Sequence, residues 1–242
     1  MQSFIDWLVY EFTRTFIRDG RWAIFLNGLQ NTLTITLVAS LIGVAGGTVI
    51  AVVHNIASSR DARKGVTADS VVLNVVDRLL GLYVAVMRGT PLAIQLTIMA
   101  FIIMAGYPNK VVVCMAAFGL NSAAYVSEVI RGGINAVDKG QMEAGRSLGL
   151  GRVTCMRLIV LPQAMANILP ALCNEGIAVL KETSIIGLIS VVDLTRASDL
   201  VRSRTLSPYF PLLSVALVYF ILVAGLSALV KRLENRLNRA KA

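Results

Sequence analysis

The sequence predicts an all-α membrane protein of about five transmembrane helices, with a short helix inside a polar loop between the third and the fourth. Of its 242 residues, 56% are hydrophobic and only 15% charged, whereas soluble domains carry about 25% charged residues. The apolar residues gather in five runs long enough to cross a bilayer core, which takes about 20 residues. Residues 138–162 are the one long polar stretch with strongly apolar sequence on both sides. The net charge of +9 does not point to nucleic acid, because the basic residues sit at the ends of apolar spans, where topology and anionic lipid account for them. Cys114, Cys155 and Cys173 are scattered through apolar sequence and read as small core residues. His54 is the only histidine, so no metal site is expected.

Residues 1–25 form the first segment. Phe4, Ile5, Leu8, Phe12 and Phe16 recur at helical spacing, and Trp7 and Trp22 suit the headgroup level, so an interfacial helix is expected. No basic n-region precedes this pattern, and Asp6 and Glu11 interrupt it, so it does not read as a cleaved signal peptide. The membrane domain spans residues 26–230. Its first span, about 26–53, carries Gly43 and Gly47 at the GxxxG spacing that lets two helices approach closely. A polar loop, 54–77, follows. The second span, about 79–105, is interrupted at Arg88-Gly89-Thr90-Pro91, where proline removes a donor and disfavours helix in the residue before it. The third span covers about 111–136. Residues 163–192 are too long for one simple crossing and are expected to break at Pro170 and again at Lys181-Glu182-Thr183-Ser184. The last span, about 211–230, leads into a basic tail, 231–242.

Within the polar loop, Asp138 is a good N-cap, Gln141 stands at capping-box spacing, and Gly149 and Gly151 end the helix. At 100° per residue, Gln141, Ala144, Gly145 and Leu148 share one small, smooth face, opposite Lys139, Glu143 and Arg146. Such a helix makes a rigid peg for a groove in another protein. Lys and Arg accumulate on the cytoplasmic side of membrane proteins. The first loop, the central loop and the tail together hold twelve (Arg60, Arg63, Lys64, Lys139, Arg146, Arg152, Arg157, Lys231, Arg232, Arg236, Arg239, Lys241), against seven on the other side. The central loop and C-terminus are therefore expected in the cytoplasm and the N-terminus outside.

Charges inside a bilayer are costly and usually face a protein interior, a water path or an opposite charge. Arg88 and Glu128 each lie about nine residues into their spans from the cytoplasmic side, about 13 Å deep, and are expected to pair. Asn174, Glu175 and the run Lys181-Glu182-Thr183-Ser184 bring polar side chains and freed backbone groups to a broken helix. Transporters bind the carboxylate and ammonium of a solute at such breaks. No GxxxxGK[ST] sequence is present to cradle ATP.

The order Glu143-Ala144-Gly145, Gly149, Ile159, Leu161-Pro162 resembles the EAA loop of ABC importer permeases, with Gly145 in place of the usual alanine. Tyr83, Arg88-Gly89-Thr90-Pro91-Leu92 and Gln95 resemble a signature of the polar amino acid branch of that family. So do Ala124-Tyr125, Glu128, Arg131-Gly132-Gly133-Ile134 and the later Gly140-Gln141. A fourth run joins Leu161-Pro162-Gln163-Ala164, Pro170, Asn174-Glu175 and Leu180-Lys181-Glu182-Thr183-Ser184.

The resemblance implies the type I ABC importer permease fold in a bacterial cytoplasmic membrane. It makes the peg a coupling helix, with Gln141, Glu143, Ala144, Gly145, Leu148 and Gly149 meeting an ATPase. It implies two copies of that ATPase, which bind ATP and Mg, a second permease that is this chain or a homologue, and an extracytoplasmic solute-binding protein. Arg88, Thr90, Gln95, Tyr125, Glu128, Asn174, Glu175, Lys181, Glu182, Thr183 and Ser184 are the candidates for an amino acid path. The competing reading is an ion-coupled secondary transporter with Glu128, Glu175 and Glu182 as ion ligands. A membrane enzyme ranks lowest, since no nucleophile, base and metal ligands cluster.

Overall fold

In the computed structural model, which describes residues 2–59 and 68–239, the chain is a helical bundle. Five helical stretches are long and apolar enough to cross a membrane, the number expected. They are α2 (Trp22–Ser59), α3 (Ala68–Gly89), α5 (Lys110–Asn135), α8 (Leu161–Glu182) with the turns at its two ends, and α10 (Phe210–Arg239). Shorter helices connect them: α4 (Leu92–Ile98), α6 (Lys139–Ser147), α7 (Arg152–Cys155) and α9 (Leu194–Thr205), while α1 (Gln2–Phe12) precedes them all.

The centre is the pair α2 and α5, which run in the same direction in close contact. A Cβ on Gly43 would stand 2.5 Å from Ser122 Oγ, and one on Gly47 would stand 2.6 Å from Val126 Cβ and 2.8 Å from the Ala123 carbonyl. The GxxxG face is thus buried against small residues of α5, as the spacing predicts for helices held by backbone approach. Around this seam Ile35, Ala39, Leu96, Val113, Phe118, Val179 and Ile186 form the main core. A second core, of Phe25, Leu194, Ala197, Val201 and Val215, closes the end that carries α9.

The course of the chain departs from expectation in two places. Pro170 does not break it: α8 runs through Pro170, which is buried, and membrane helices tolerate an internal proline where neighbours and local adjustment satisfy the freed carbonyl. The break at 181–184 is found, since α8 ends at Glu182 and passes into a 3-10 turn, Thr183–Ile189, closed by Ser190 in the left-handed region. The polar stretch 54–77 is largely helical, α2 reaching Ser59 and α3 starting at Ala68. His54 Nδ1, 2.9 Å from Asp77 Oδ1, holds the two polar helix ends together. Arg60, Arg63, Lys64 and Lys241 of the charge count lie outside the described residues.

At the α9 end, α1 lies across the junction of α9 and α10. Glu11 is buried and accepts from Ser207 Oγ at 2.6 Å; Arg14 donates to the Thr205 carbonyl, and Trp7 meets Phe210 edge-on. Asp193 caps α9 by accepting from the backbone N–H groups of Thr195 and Arg196, at 2.8 and 3.0 Å. Burial outweighs these bonds and pushes the Asp193 carboxyl above the usual carboxylate range.

Candidate functional site

The peg forms as a single short helix. Asp138 Oδ1 accepts from the Gly140 N–H at 2.8 Å and starts α6. Gly149, at φ +86°, ends it, with its N–H on the Arg146 carbonyl and the Leu150 N–H on that of Gly145, the left-handed ending that favours glycine. Gly151 does not serve as a stop; it stands extended as the N-cap of α7. The reciprocal arm of the capping box is also missing, because the Gln141 side chain instead accepts from Gln163 Nε2 at 3.2 Å. Gly145 points inward. A Cβ there would lie 2.7 Å from Cys155 Sγ and 2.8 Å from Ile159 Cδ1, so its smallness lets α6 lie on the root of α8 and gives no docking surface. Gln141, Glu143, Ala144, Leu148 and Gly149 remain exposed. Leu148 is 82% exposed, and Val153, which sequence reasoning missed, is 81% exposed. The signal for Val153 was an apolar residue set between Arg152 and Thr154 just after the two glycines.

The expected Arg88–Glu128 pair is present at 3.2 Å. Glu128 is shared, because Arg131 also grips it, Nε to Oε1 at 3.0 Å and Nη2 to Oε2 at 2.5 Å. The E-x-x-R spacing on one helix face was the signal for this third member. The Arg88 guanidinium also lies 5.6 Å from the centre of the Tyr125 ring. Arg88 is near the far end of the 22-residue α3, further along its helix than the nine residues expected.

Thr90 and Gln95 serve the break at Pro91. Proline has no N–H for the carbonyl four residues back, which is that of Met87. Gln95 Nε2 donates to that carbonyl at 2.8 Å and to Thr90 Oγ1 at 2.7 Å. Asn121, buried on α5, donates to Gln95 Oε1 at 2.8 Å and to the same Met87 carbonyl at 3.3 Å. The Gln95 amide is therefore engaged in repairing the backbone at this break.

At the second break, Lys181 and Glu182 are exposed and Ser184 is half-buried. Thr183 is not part of any open path: it is fully buried and donates to the Leu180 carbonyl at 2.7 Å, closing the last helical turn. Lys181 and Ser184 line a cleft of about 500 Å³ with Thr195, Tyr219, Val215 and Phe220. Asn174 is exposed on α8, and Glu175 accepts from Ser122 Oγ of α5 at 3.2 Å. Among the described residues no ion pair joins this group to Glu128, but both groups are held by α5.

A family model described as "Binding-protein-dependent transport system inner membrane component" matches residues 65–239. A Rickettsia conorii protein named as a permease of a glutamine transport system, GlnP, is 45% identical over 158 residues, covering 64% of this chain and 72% of that one. The arginine transport system permease protein ArtQ of Bacillus subtilis is 37% identical over 219 residues, 88% of this chain and 91% of that one. A solved structure described as an amino acid ABC transporter with histidines superposes with a TM-score of 0.77 at 36% identity, covering 88% of this chain and 94% of that one. These likenesses favour the importer over the ion-coupled reading and make the chain a transport subunit and not an enzyme. The chain belongs to the binding-protein-dependent transport system inner membrane component family, as a multi-pass permease subunit of an ABC importer.

Proposed function

We infer that the chain forms the path of an ATP-driven amino acid importer and takes its power stroke through α6. The observation that carries this is the geometry of α6: a capped, rigid helix, seated through Gly145 on α7 and the turn that leads into α8, three residues beyond the end of α5, and presenting Glu143, Ala144, Leu148 and Gly149 outward. Leu148 and Val153 supply the apolar contact that a docking cleft would cover. Two copies of a separate ATPase bind ATP and Mg; a second permease, this chain or a homologue, completes the path; and an extracytoplasmic binding protein delivers the solute. The charge count supports α6 and the C-terminus in the cytoplasm and the N-terminus outside.

When ATP draws the two ATPases together, each peg moves with its cleft and carries α5 and α8, so the path changes the side to which it opens. The exposed ends of α8 and the side chains of Asn174, Glu175, Lys181, Glu182 and Ser184 face the solute, and Arg88, Tyr125 and Glu128 line its route nearer the cytoplasm. The test is uptake by vesicles holding this permease, with and without its ATPase and binding protein. Accumulation that needs both supports the reading. Accumulation by this polypeptide alone, or driven by an ion gradient without ATP, would refute it.

A further inference from the structure

A cavity of about 250 Å³ opens between α2, α3 and α5 near the end of the bundle that carries α6. Its walls include His54, Asp77, Gly81, Val84, Glu128 and Arg131. The ionisable residues come as two close pairs, His54 with Asp77 at 2.9 Å and Arg131 with Glu128 at 2.5 Å, and Glu128 is also held by Arg88 at 3.2 Å. Both pairs remain open to the cavity: the side chains of His54 and Arg131 are 50% and 48% exposed, and those of Asp77 and Glu128 25% and 27%. A liquid water occupies about 30 Å³, so the space holds the equivalent of about eight waters, the size of a small organic molecule and not of a bare ion.

Its chemistry selects further. A simple anion entering here meets Asp77 and Glu128, and a simple cation meets Arg131, so each is opposed. A molecule with both an ammonium and a carboxylate finds a partner for each, and a free amino acid has that pair of charges on one carbon. We propose that this cavity, which shares only Glu128 with the route described above, is a second amino acid site, open toward the side of release, at which the transported solute slows its own import. The proposal rests on the importer reading above, since it takes the ligand to be the transported zwitterion.

Placement gives the slowing. Arg131 lies four residues before the end of α5, and α6 begins at Lys139, while Asp77 lies on α3. A ligand held between Asp77 and Arg131 ties α3 to the helix that must follow the peg. It resists the shift of α5 on each stroke in proportion to how much better it binds the resting arrangement.

The experiment uses the full complex in vesicles, with ATP and the ATPase on the inside and the binding protein outside. L-glutamine, L-arginine and L-glutamate are tested in turn, and the one that is imported is then preloaded at millimolar concentration. Preloading is expected to slow initial uptake by wild type about fivefold or more, at the lower end of ordinary coupling between sites. Asp77→Asn, and Gly81→Leu separately, should remove most of that slowing while empty vesicles keep their uptake. Gly81 is chosen because it lines the cavity and a Cβ there meets nothing within 4 Å, so a larger side chain has space to enter.

If preloading slows wild type and both variants alike, or slows none, the site is refuted while the importer reading stands. If empty vesicles take up nothing with ATPase and binding protein present, the importer reading fails and this site with it. Vesicles made with and without phosphatidylethanolamine separate the other source of an ammonium beside an anion. Slowing that follows this lipid and ignores the preloaded amino acid gives the cavity to a headgroup and overturns the proposal.

Discussion

Replacing Gln95 by Ala tests whether the bend at Pro91 is repaired in the way the structure indicates. The Gln95 amide donates to the Met87 carbonyl and to Thr90 Oγ1 and accepts from Asn121, all at 2.7–2.8 Å. Removing it leaves Met87 with only the longer bond from Asn121, at 3.3 Å, and leaves Asn121, 5% exposed, one partner short. An under-satisfied buried polar group costs about 1–3 kcal/mol, and at about 2–4 °C per kcal/mol for a chain of this size the midpoint should fall by several degrees. Pro91→Ala returns an N–H to the Met87 carbonyl. In that background Gln95→Ala should cost about 1 kcal/mol less, a coupling within the usual range for residues sharing a partner. Thermal unfolding of the four proteins of the cycle in detergent measures it. Strict additivity would refute the assignment of Gln95 to the proline-freed carbonyl. Pro91→Ala alone should also reduce uptake, because straightening the span moves Arg88 away from Glu128.

Glu128→Gln leaves Arg88 and Arg131 facing each other without their common carboxylate; the groups are part-exposed, so a loss of about 1–3 kcal/mol is expected, between surface and buried ion pairs, and Arg88→Met in addition should restore part of it in the same unfolding assay. Leu148→Asp should cut co-purification of the ATPase at least about tenfold, as loss of an interface anchor of about 1.4 kcal/mol or more does, while the midpoint of the permease alone stays put, since Leu148 is 82% exposed. Gly47→Leu drives a side chain into Val126 and the Ala123 carbonyl and should destabilise the bundle by about 1–3 kcal/mol or more, read as a lower midpoint or loss from the membrane fraction. The Asp193 carboxyl binds its proton more tightly folded than unfolded, so its contribution is fully present below the unfolded value of about 3.9 and is lost as pH rises through the folded value. Asp193→Asn keeps a capping side chain without the charge, and its midpoint should gain on wild type as pH rises from about 4 through the folded value.

What the sequence made legible was carried by local chemistry. Asp138 and Gly149 specify the two ends of α6 because a cap and a left-handed glycine act within one turn. Gly43 and Gly47 announced the seam with α5 because GxxxG has one strong meaning in an apolar helix. Arg88 and Glu128 were paired because lone charges in a membrane seek a partner. The misreadings all required knowing what lies across a contact. Gly145 looked like part of a docking face, since its spacing on α6 cannot show that Cys155 and Ile159 already cover it. Gln95 and Thr183 looked like solute ligands, yet both satisfy backbone carbonyls at breaks in their helices. Pro170 looked like a break, whereas the bundle absorbs its missing donor inside α8. The polar stretch at His54 was read as a loop because the ion pair to Asp77, 23 residues away, is invisible to periodicity.

The arrangement of α5 explains how a push on a surface helix reaches the middle of the bundle. Its Ser122 and Val126 faces are fitted to Gly43 and Gly47 with no room for an intervening Cβ, so α2 and α5 cannot slide past each other without clash and move as one body. On the same helix Ser122 holds Glu175 beside the second break, Asn121 holds the first break through Gln95 and Met87, and Glu128 holds Arg88. Three residues after its last turn the chain enters α6. A displacement of α6 therefore acts on both helix breaks and on the ion pair through a single packed element. Packed cores switch between discrete arrangements more readily than they deform, so these contacts should change together. Cross-linking α2 to α5 along the Gly43–Ser122 seam should consequently leave transport intact, whereas cross-linking α3 to α5 beside Arg88 and Glu128 should stop it.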